Sequence, residues 1–270
     1  EDYHTQNSGN LTTVGGITTA AAATGGSADY IQIYSNDGAV YNSGNLSTHG
    51  GSGATGGNGA SVYLGADEGN LFNSGDISAY GANSTVGNGG NGGYISFEAD
   101  MGEIRNSGDV KAWGGDTTDL AGSGGNGNQL YVYSDYDGIY EESPAGDIHW
   151  SGEIDMHGGN AVATGTGNGG YAGDVYAEVY GSDVNIASKL LFVGYGAVHS
   201  FGGDGNHGGN GGDYYIYNHD TEVDGDTDVP AMAGNVISEA NILAHGGNAR
   251  AGGADANGNG GRGGYVDLET

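Results

Sequence analysis

Carboxylates at alternate positions are the most conspicuous chemistry-bearing pattern in the chain. The run Asp220-Thr221-Glu222-Val223-Asp224-Gly225-Asp226-Thr227-Asp228 sets Asp224, Asp226 and Asp228 two residues apart, and Asp135 and Asp137 repeat that spacing. Hard oxygen donors at such intervals suit Ca²⁺, which makes these five residues candidate ligands and Ca²⁺ the expected ion. Asp224, Asp226 and Asp228 open like an EF-hand loop, but the glycine and distant glutamate of that loop are missing, so the motif itself fails. Smaller acidic turns lie at Asp67/Glu68 and Glu98/Asp100. The competing reading of all of them is a solvated acidic surface.

The elements that hold these groups come from a repeat. An aliphatic residue, then a bulky residue three positions on, then glycine, recurs around Gly15, Gly50, Gly81, Gly114, Gly158, Gly202 and Gly246. Repeats of this length mean a solenoid, a propeller or an array. Each unit holds three short stretches alternating with period 2, the mark of strands. The first gives inward pairs Ile31/Ile33, Val62/Leu64, Ile95/Phe97, Leu130/Val132 and Val266/Leu268. The second ends in Asn-Ser-Gly at Asn7, Asn42, Asn73 and Asn106, and the third opens with Leu11, Leu46, Ile77, Val110, Ile154, Val198 and Ile242. Strands of about four to six residues, three per unit, predict an all-β parallel β-helix of about seven coils filling residues 1–270 as one domain. A β-propeller would need four antiparallel strands per unit.

On these repeats and their Asn-Ser-Gly turns the chain resembles right-handed parallel β-helix surface proteins, the filamentous-haemagglutinin-like and autotransporter adhesins. That resemblance implies secretion, an extracellular or cell-surface location, and an adhesive or scaffolding role.

Stacked coils turn each repeat position into a column. Asn7, Asn42, Asn73 and Asn106 predict an asparagine ladder, each amide bonding the next. Before the glycine of each unit stand Val14, His49, Tyr80, Trp113, His157, Phe201 and His245, an outward column of aromatic or imidazole rings in six of seven units. Tyr63, Tyr131, Tyr176 and Tyr215 predict a second outward column. Such rings stack on one another, or they form a stripe for carbohydrate or a neighbouring filament. Glycine-rich segments such as Gly87 to Gly93 and Gly208 to Gly212 return once per unit, which predicts ordered loops rather than a flexible linker.

The two ends of the chain complete one another. Tyr265 to Thr270 read into Glu1 to Gly16 gives YVDLETEDYHTQNSGNLTTVGG, which matches Tyr30 to Gly51 without a gap. The expectation is a subunit that polymerises head to tail, with Glu1, Asp2, Tyr3, Tyr265, Val266, Asp267, Leu268 and Glu269 at the junction. Four of these are carboxylates, so assembly is expected to depend on cations or salt. The same match arises if the chain is part of a long repetitive adhesin stalk.

Composition narrows the partners. With 34 acidic residues against 5 basic ones the formal charge is −29, which repels nucleic acid and anionic membranes. There is no cysteine and no apolar run long enough to span a bilayer as a helix. A carbohydrate-active β-helix enzyme is the third reading. Lyases of that type generally need a basic residue near acidic ligands, and Arg105 and Lys111 with Asp109 between them form the one such grouping. No Ser-His-Asp or zinc spacing is present, so no catalysis is expected. Asn10-Leu11-Thr12, Asn45-Leu46-Ser47 and Asn83-Ser84-Thr85 match the glycosylation sequon, a chance match in so Asn-, Ser- and Thr-rich a chain.

Overall fold

The computed structural model describes residues 3–134, 146–162, 164–180, 191–194, 198–219, 235–238, 241–249 and 259–269. Among these there are 21 strands and no helix, and the strands form three parallel sheets of seven. The first sheet stacks β1 (Tyr3–Asn7), β4 (Gly38–Asn42), β7 (Leu71–Asn73), β10 (Ile104–Asn106), β13 (Ile148–Trp150), β16 (Leu191–Gly194) and β19 (Asn235–Ser238). The second stacks β2 (Leu11–Val14), β5 (Leu46–His49), β8 (Ile77–Tyr80), β11 (Val110–Lys111), β14 (Ile154–Asp155), β17 (Val198–His199) and β20 (Ile242–Leu243). The third stacks β3 (Ile31–Ser35), β6 (Val62–Ala66), β9 (Ile95–Ala99), β12 (Leu130–Ser134), β15 (Val175–Tyr180), β18 (Tyr214–His219) and β21 (Val266–Glu269). Each coil therefore takes one strand from every sheet in turn, the architecture of a three-sided parallel β-helix with seven coils.

Strands are shorter than the sequence spacing predicts. From the fourth coil on, the second-sheet strands β11, β14, β17 and β20 hold only two residues each. Backbone hydrogen bonds there pass at once to the glycine segment that follows, as in Gly114 N–H to His157 O at 3.0 Å.

The core is a set of aliphatic columns. Leu11, Leu46, Ile77, Val110, Ile154, Val198 and Ile242 are consecutive partners in the second sheet. In the third sheet Ile33, Leu64, Phe97, Val132, Ala177, Ile216 and Leu268 follow one another likewise. Interior members of both columns are buried, each contributing about 1.5–3 kcal/mol if aliphatic or aromatic. Phe97 meets Trp150 edge to face, with ring centroids 5.0 Å apart.

The glycine-rich segments are a fourth, regular layer. Gly26 N–H donates to Gly16 O, Gly51 to Gly26, Gly57 to Gly51, Ala82 to Gly57, Gly90 to Ala82, Gly115 to Gly90 and Gly125 to Gly115, at 2.7–3.0 Å. The series continues through Gly159, Gly170, Gly203, Gly209 and Gly247 to Gly261. This zigzag links the segment leaving each coil's second-sheet strand with the segment entering its third-sheet strand. Gly56 and Gly59 meanwhile both donate to the next coil, to Asn88 O and Asn91 O at 2.9 Å. Residues three apart thus point the same way, the periodicity of an extended threefold chain. Added to almost any of these glycines, a Cβ would lie on the backbone of the facing segment.

Candidate functional site

The four asparagines of the Asn-Ser-Gly turns meet as one column at the end of the first sheet. Asn7 Nδ2 donates to Asn42 Oδ1 at 2.7 Å, Asn42 to Asn73 and Asn73 to Asn106, both at 2.6 Å. Each Nδ2 also donates to the carbonyl two residues on, in Gly9, Gly44, Gly75 and Gly108, at 2.7–2.9 Å. In the fifth coil Trp150 takes the place of asparagine, and its Nε1 donates to Gly152 O at 3.1 Å. The indole keeps the turn bond while its ring fills the core against Phe97.

A second asparagine and aspartate device is absent from the sequence reading. At several turns a side-chain Oδ1 accepts the backbone N–H of the equivalent residue one coil on. Asn10, Asn45, Asp76 and Asp109 accept from Asn45, Asp76, Asp109 and Glu153 at 2.9–3.1 Å. Asn83, Asp116, Asn160 and Asp204 accept from Asp116, Asn160, Asp204 and Asn248 at 2.6–2.9 Å. This second column alternates Asn with Asp, which keeps like charges two coils, about 10 Å, apart. A share of the acidic residues therefore bonds the backbone of the next coil.

The outward rings of the second sheet stack in two runs. His49, Tyr80, Trp113 and His157 have successive centroid distances of 4.9, 4.8 and 4.6 Å, and Phe201 and His245 stack at 4.1 Å. The first run, with Asn83, Asp116 and Asn160, lines a groove of about 400 Å³. Trp113 Nε1 is buried without a hydrogen-bond partner among the described residues. Burial lowers the His49 pKa, because the charged imidazolium loses water. A larger groove of about 600 Å³ lies on the first sheet beside Tyr41, Phe72, Arg105 and His149, with Ser43, Ser74, Ser107 and Ser151 along its edge. Tyr41 and Phe72 stack at 5.2 Å. The sequence reading missed this pair, whose positions coincide only when the second stretch of each repeat is aligned.

On the third sheet Tyr63, Ser96, Tyr131, Tyr176, Tyr215 and Asp267 share one outward column. Their hydroxyls reach carboxylates: Tyr63 donates to Glu98 Oε2 at 3.1 Å and Tyr131 to Glu178 Oε2 at 3.3 Å, and Tyr34 donates to Asp67. The bond to Asp67, then burial, pushes the Tyr34 pKa from 10.0 up to about 12; burial, then the charge of Glu98, raises that of Tyr63 further. A phenol whose folded pKa lies above its unfolded value contributes stability that is complete below pH 10 and is lost as pH climbs through the folded value. We expect a thermal midpoint that is flat up to about pH 10 and falls between about pH 10 and 12. Ultraviolet titration should find tyrosines that ionise only as the fold is lost. Free ionisation of every tyrosine near pH 10 in the folded chain would contradict the phenol–carboxylate pairing.

The cations of the candidate lyase grouping are already paired. Arg105 Nε lies 2.5 Å from Glu103 Oε1, and Lys111 Nζ lies 3.3 Å from Asp109 Oδ2 and 4.0 Å from Glu153 Oε2. Of the residues named at the junction, Glu1 and Asp2 lie outside the described residues, as do the calcium candidates Asp135, Asp137, Asp224, Asp226 and Asp228. Tyr3 pairs with Gly38. Val266, Asp267, Leu268 and Glu269 pair with Tyr214, Tyr215, Ile216 and Tyr217, and Tyr265 N–H donates to Asp213 Oδ1 at 2.7 Å. Among the described residues no helix is long and apolar enough to cross a membrane. No protein-family model, curated protein or solved structure matches the chain.

Proposed function

We propose that this chain is a non-catalytic structural subunit of an extracellular fibre, growing as the seventh coil of one copy stacks on the first coil of the next. The observation that supports it is the phase and chemistry of the two end coils. Inward-facing Leu11, Val266 and Leu268 are 39, 44 and 46% exposed, whereas their equivalents within the rod are buried. Extending the columns by one coil sets Val266 against Ile31, Leu268 against Ile33 and Ile242 against Leu11 of a second copy, apolar on apolar in the second and third sheets, and Val236 against Thr5 in the first. The glycine zigzag continues in step, since Gly16 N–H is the next donor in the series and Gly261 C=O the next acceptor. Exposed strand edges of this kind template further pairing. Cations, Ca²⁺ among them, would relieve the repulsion of Glu1, Asp2, Asp267 and Glu269 at the seam. The same end match also suits a covalent continuation of the rod in a longer, adhesin-like stalk, with its outward rings turned to carbohydrate or to neighbouring filaments.

Electron microscopy of the purified chain with Ca²⁺, and again after chelation, tests the reading. Unbranched filaments with an axial repeat near about 34 Å, seven coils at about 4.8 Å each, are expected, and their loss on chelation would place cations at the seam. Because the chain has no cysteine, a chain carrying both Asp267→Cys and Gln32→Cys should oxidise into a covalent ladder, while Asp267→Cys with Tyr34→Cys should not. Short rods and no ladder in both conditions would leave the stalk as the better account.

A further inference from the structure

Glu153, Asp155 and His199 come together on the outer face of the second sheet; none of them is among the acidic residues that the sequence nominated. Asp155 and His199 are register partners on β14 and β17, and Glu153 stands just before β14. One ligand atom from each of the three lies within 4.8 Å of the other two. Glu153 Oε1 is 3.3 Å from His199 Nδ1, while Lys111 approaches the other oxygen, Oε2. The carboxylate is thus shared in a way that leaves Oε1 on the histidine side.

Two further contacts aim the donors. The His199 ring stacks on Phe201 at 5.3 Å with planes 14° apart, and His157 Nδ1 lies 2.8 Å from Asp155 Oδ1. Such outer contacts orient ligands in metal sites. We propose that Glu153, Asp155 and His199 bind a borderline transition-metal dication of the Zn²⁺ class, tying the fifth coil to the sixth. One imidazole nitrogen with two carboxylates suits such an ion, whereas Ca²⁺ and Mg²⁺ favour all-oxygen shells. Side-chain rotations on the order of 1 Å bring the three atoms to the ~2.0–2.2 Å bond lengths of zinc. The site also falls where the strand ladder is thinnest, since β14 and β17 pair through only two residues each. In a chain without disulfides a metal there is a cross-link.

Calorimetric titration of the 270-residue chain with Zn²⁺, with Ca²⁺ and chelator in parallel, tests the site. One Zn²⁺ site is expected that vanishes in both Asp155→Asn and His199→Ala, each weakening binding by about tenfold or more, while His49→Ala leaves it unchanged. Zinc should also raise the thermal midpoint of the parent chain by mass action, and not that of His199→Ala. Should His199→Ala fail to fold, Asp155→Asn, which keeps volume at an outward position, decides alone. Undiminished Zn²⁺ binding by Asp155→Asn and His199→Ala, or no Zn²⁺ binding by the parent, would overturn the proposal. Displacement of the zinc by equimolar Ca²⁺ would overturn the assignment of metal class.

Discussion

Gly125→Ala is expected to destabilise the chain by about 3 kcal/mol or more, lowering the thermal midpoint by about 10 °C. The new methyl would sit on the carbonyl of Gly90, 2.5 Å from its carbon, with Gly89 O of the same segment at 3.0 Å. Neither obstacle is a side chain that can turn aside; both are backbone held by the zigzag. All seven positions of the entering segment, Gly26, Gly57, Gly90, Gly125, Gly170, Gly209 and Gly261, are glycine, whereas the leaving segment admits Ala82. Gly16→Ala is the matched comparison, because nothing lies within 4 Å of a Cβ there. Its folding, followed by circular dichroism against temperature, should be unchanged to within about 0.5 kcal/mol. Under the proposed stacking the same methyl would face Gly247 of the preceding copy, at the place that Ala82 occupies within the rod, so Gly16→Ala should fold normally and still form filaments. An equal loss of stability in Gly125→Ala and Gly16→Ala would refute the account of the glycine layer.

The asparagine column gives the second large effect, and this one depends on pH. Asn73→Ala takes from Gly75 O and Asn106 Oδ1 the donor that the Asn73 amide supplies and leaves Asn42 Nδ2 with Gly44 O alone, breaking three bonds of 2.6–2.8 Å. At about 1–3 kcal/mol per buried orphan, a net loss of about 3 kcal/mol follows. Asn73→Asp should cost more at neutral pH, about 5 kcal/mol, since a buried carboxylate has no proton for Gly75 O or Asn106 Oδ1. Its folded pKa is then raised above the unfolded value near 4. Between the two pKa values the Asp variant takes up a proton on folding, so its deficit against Asn73→Ala should be smallest below the unfolded value, widen as pH rises towards the folded pKa and level off above it. Urea midpoints of the two variants between pH 4 and 8 measure this difference. A pH-independent gap would show that position 73 is not buried in a column of amides.

Most of the frame was legible because the repeat is its own alignment. Matching Tyr30–Gly51 to the joined ends set Asn7 over Asn42 and Leu11 over Leu46, and those are partners in the sheets. Period-2 alternation separated Leu46 and Thr48, which are buried, from His49, which is not. What escaped was contact between segments with no common period. The glycine zigzag joins two strings of the same coil whose repeat is three, so no alternation announces which glycine faces which. The outer-face metal donors escaped for a related reason. Asp155 and His199 are 44 residues apart, one coil length in that part of the chain, and only a unit-by-unit alignment of outward positions brings them together. Composition also misled where it was read as charge alone. Asp76, Asp109, Asp116 and Asp204 accept backbone N–H groups of the next coil, a task asparagine performs at neighbouring levels of the same columns.

The stacking of covalently consecutive coils sets how such a rod answers a pull along its axis. Neighbouring coils are held by lateral bonds in three sheets and the glycine layer, yet each is also the direct continuation of the last. Peeling one coil of 33 residues, the separation of Asn73 from Asn106, advances the rod by about 4.8 Å when folded and by about 110 Å when drawn out. Each rupture therefore releases a long reserve of slack before the next coil bears load. Extension proceeds in steps, absorbing work without severing the chain, and the peeled coil has its neighbour still in place as a template on which to rewind.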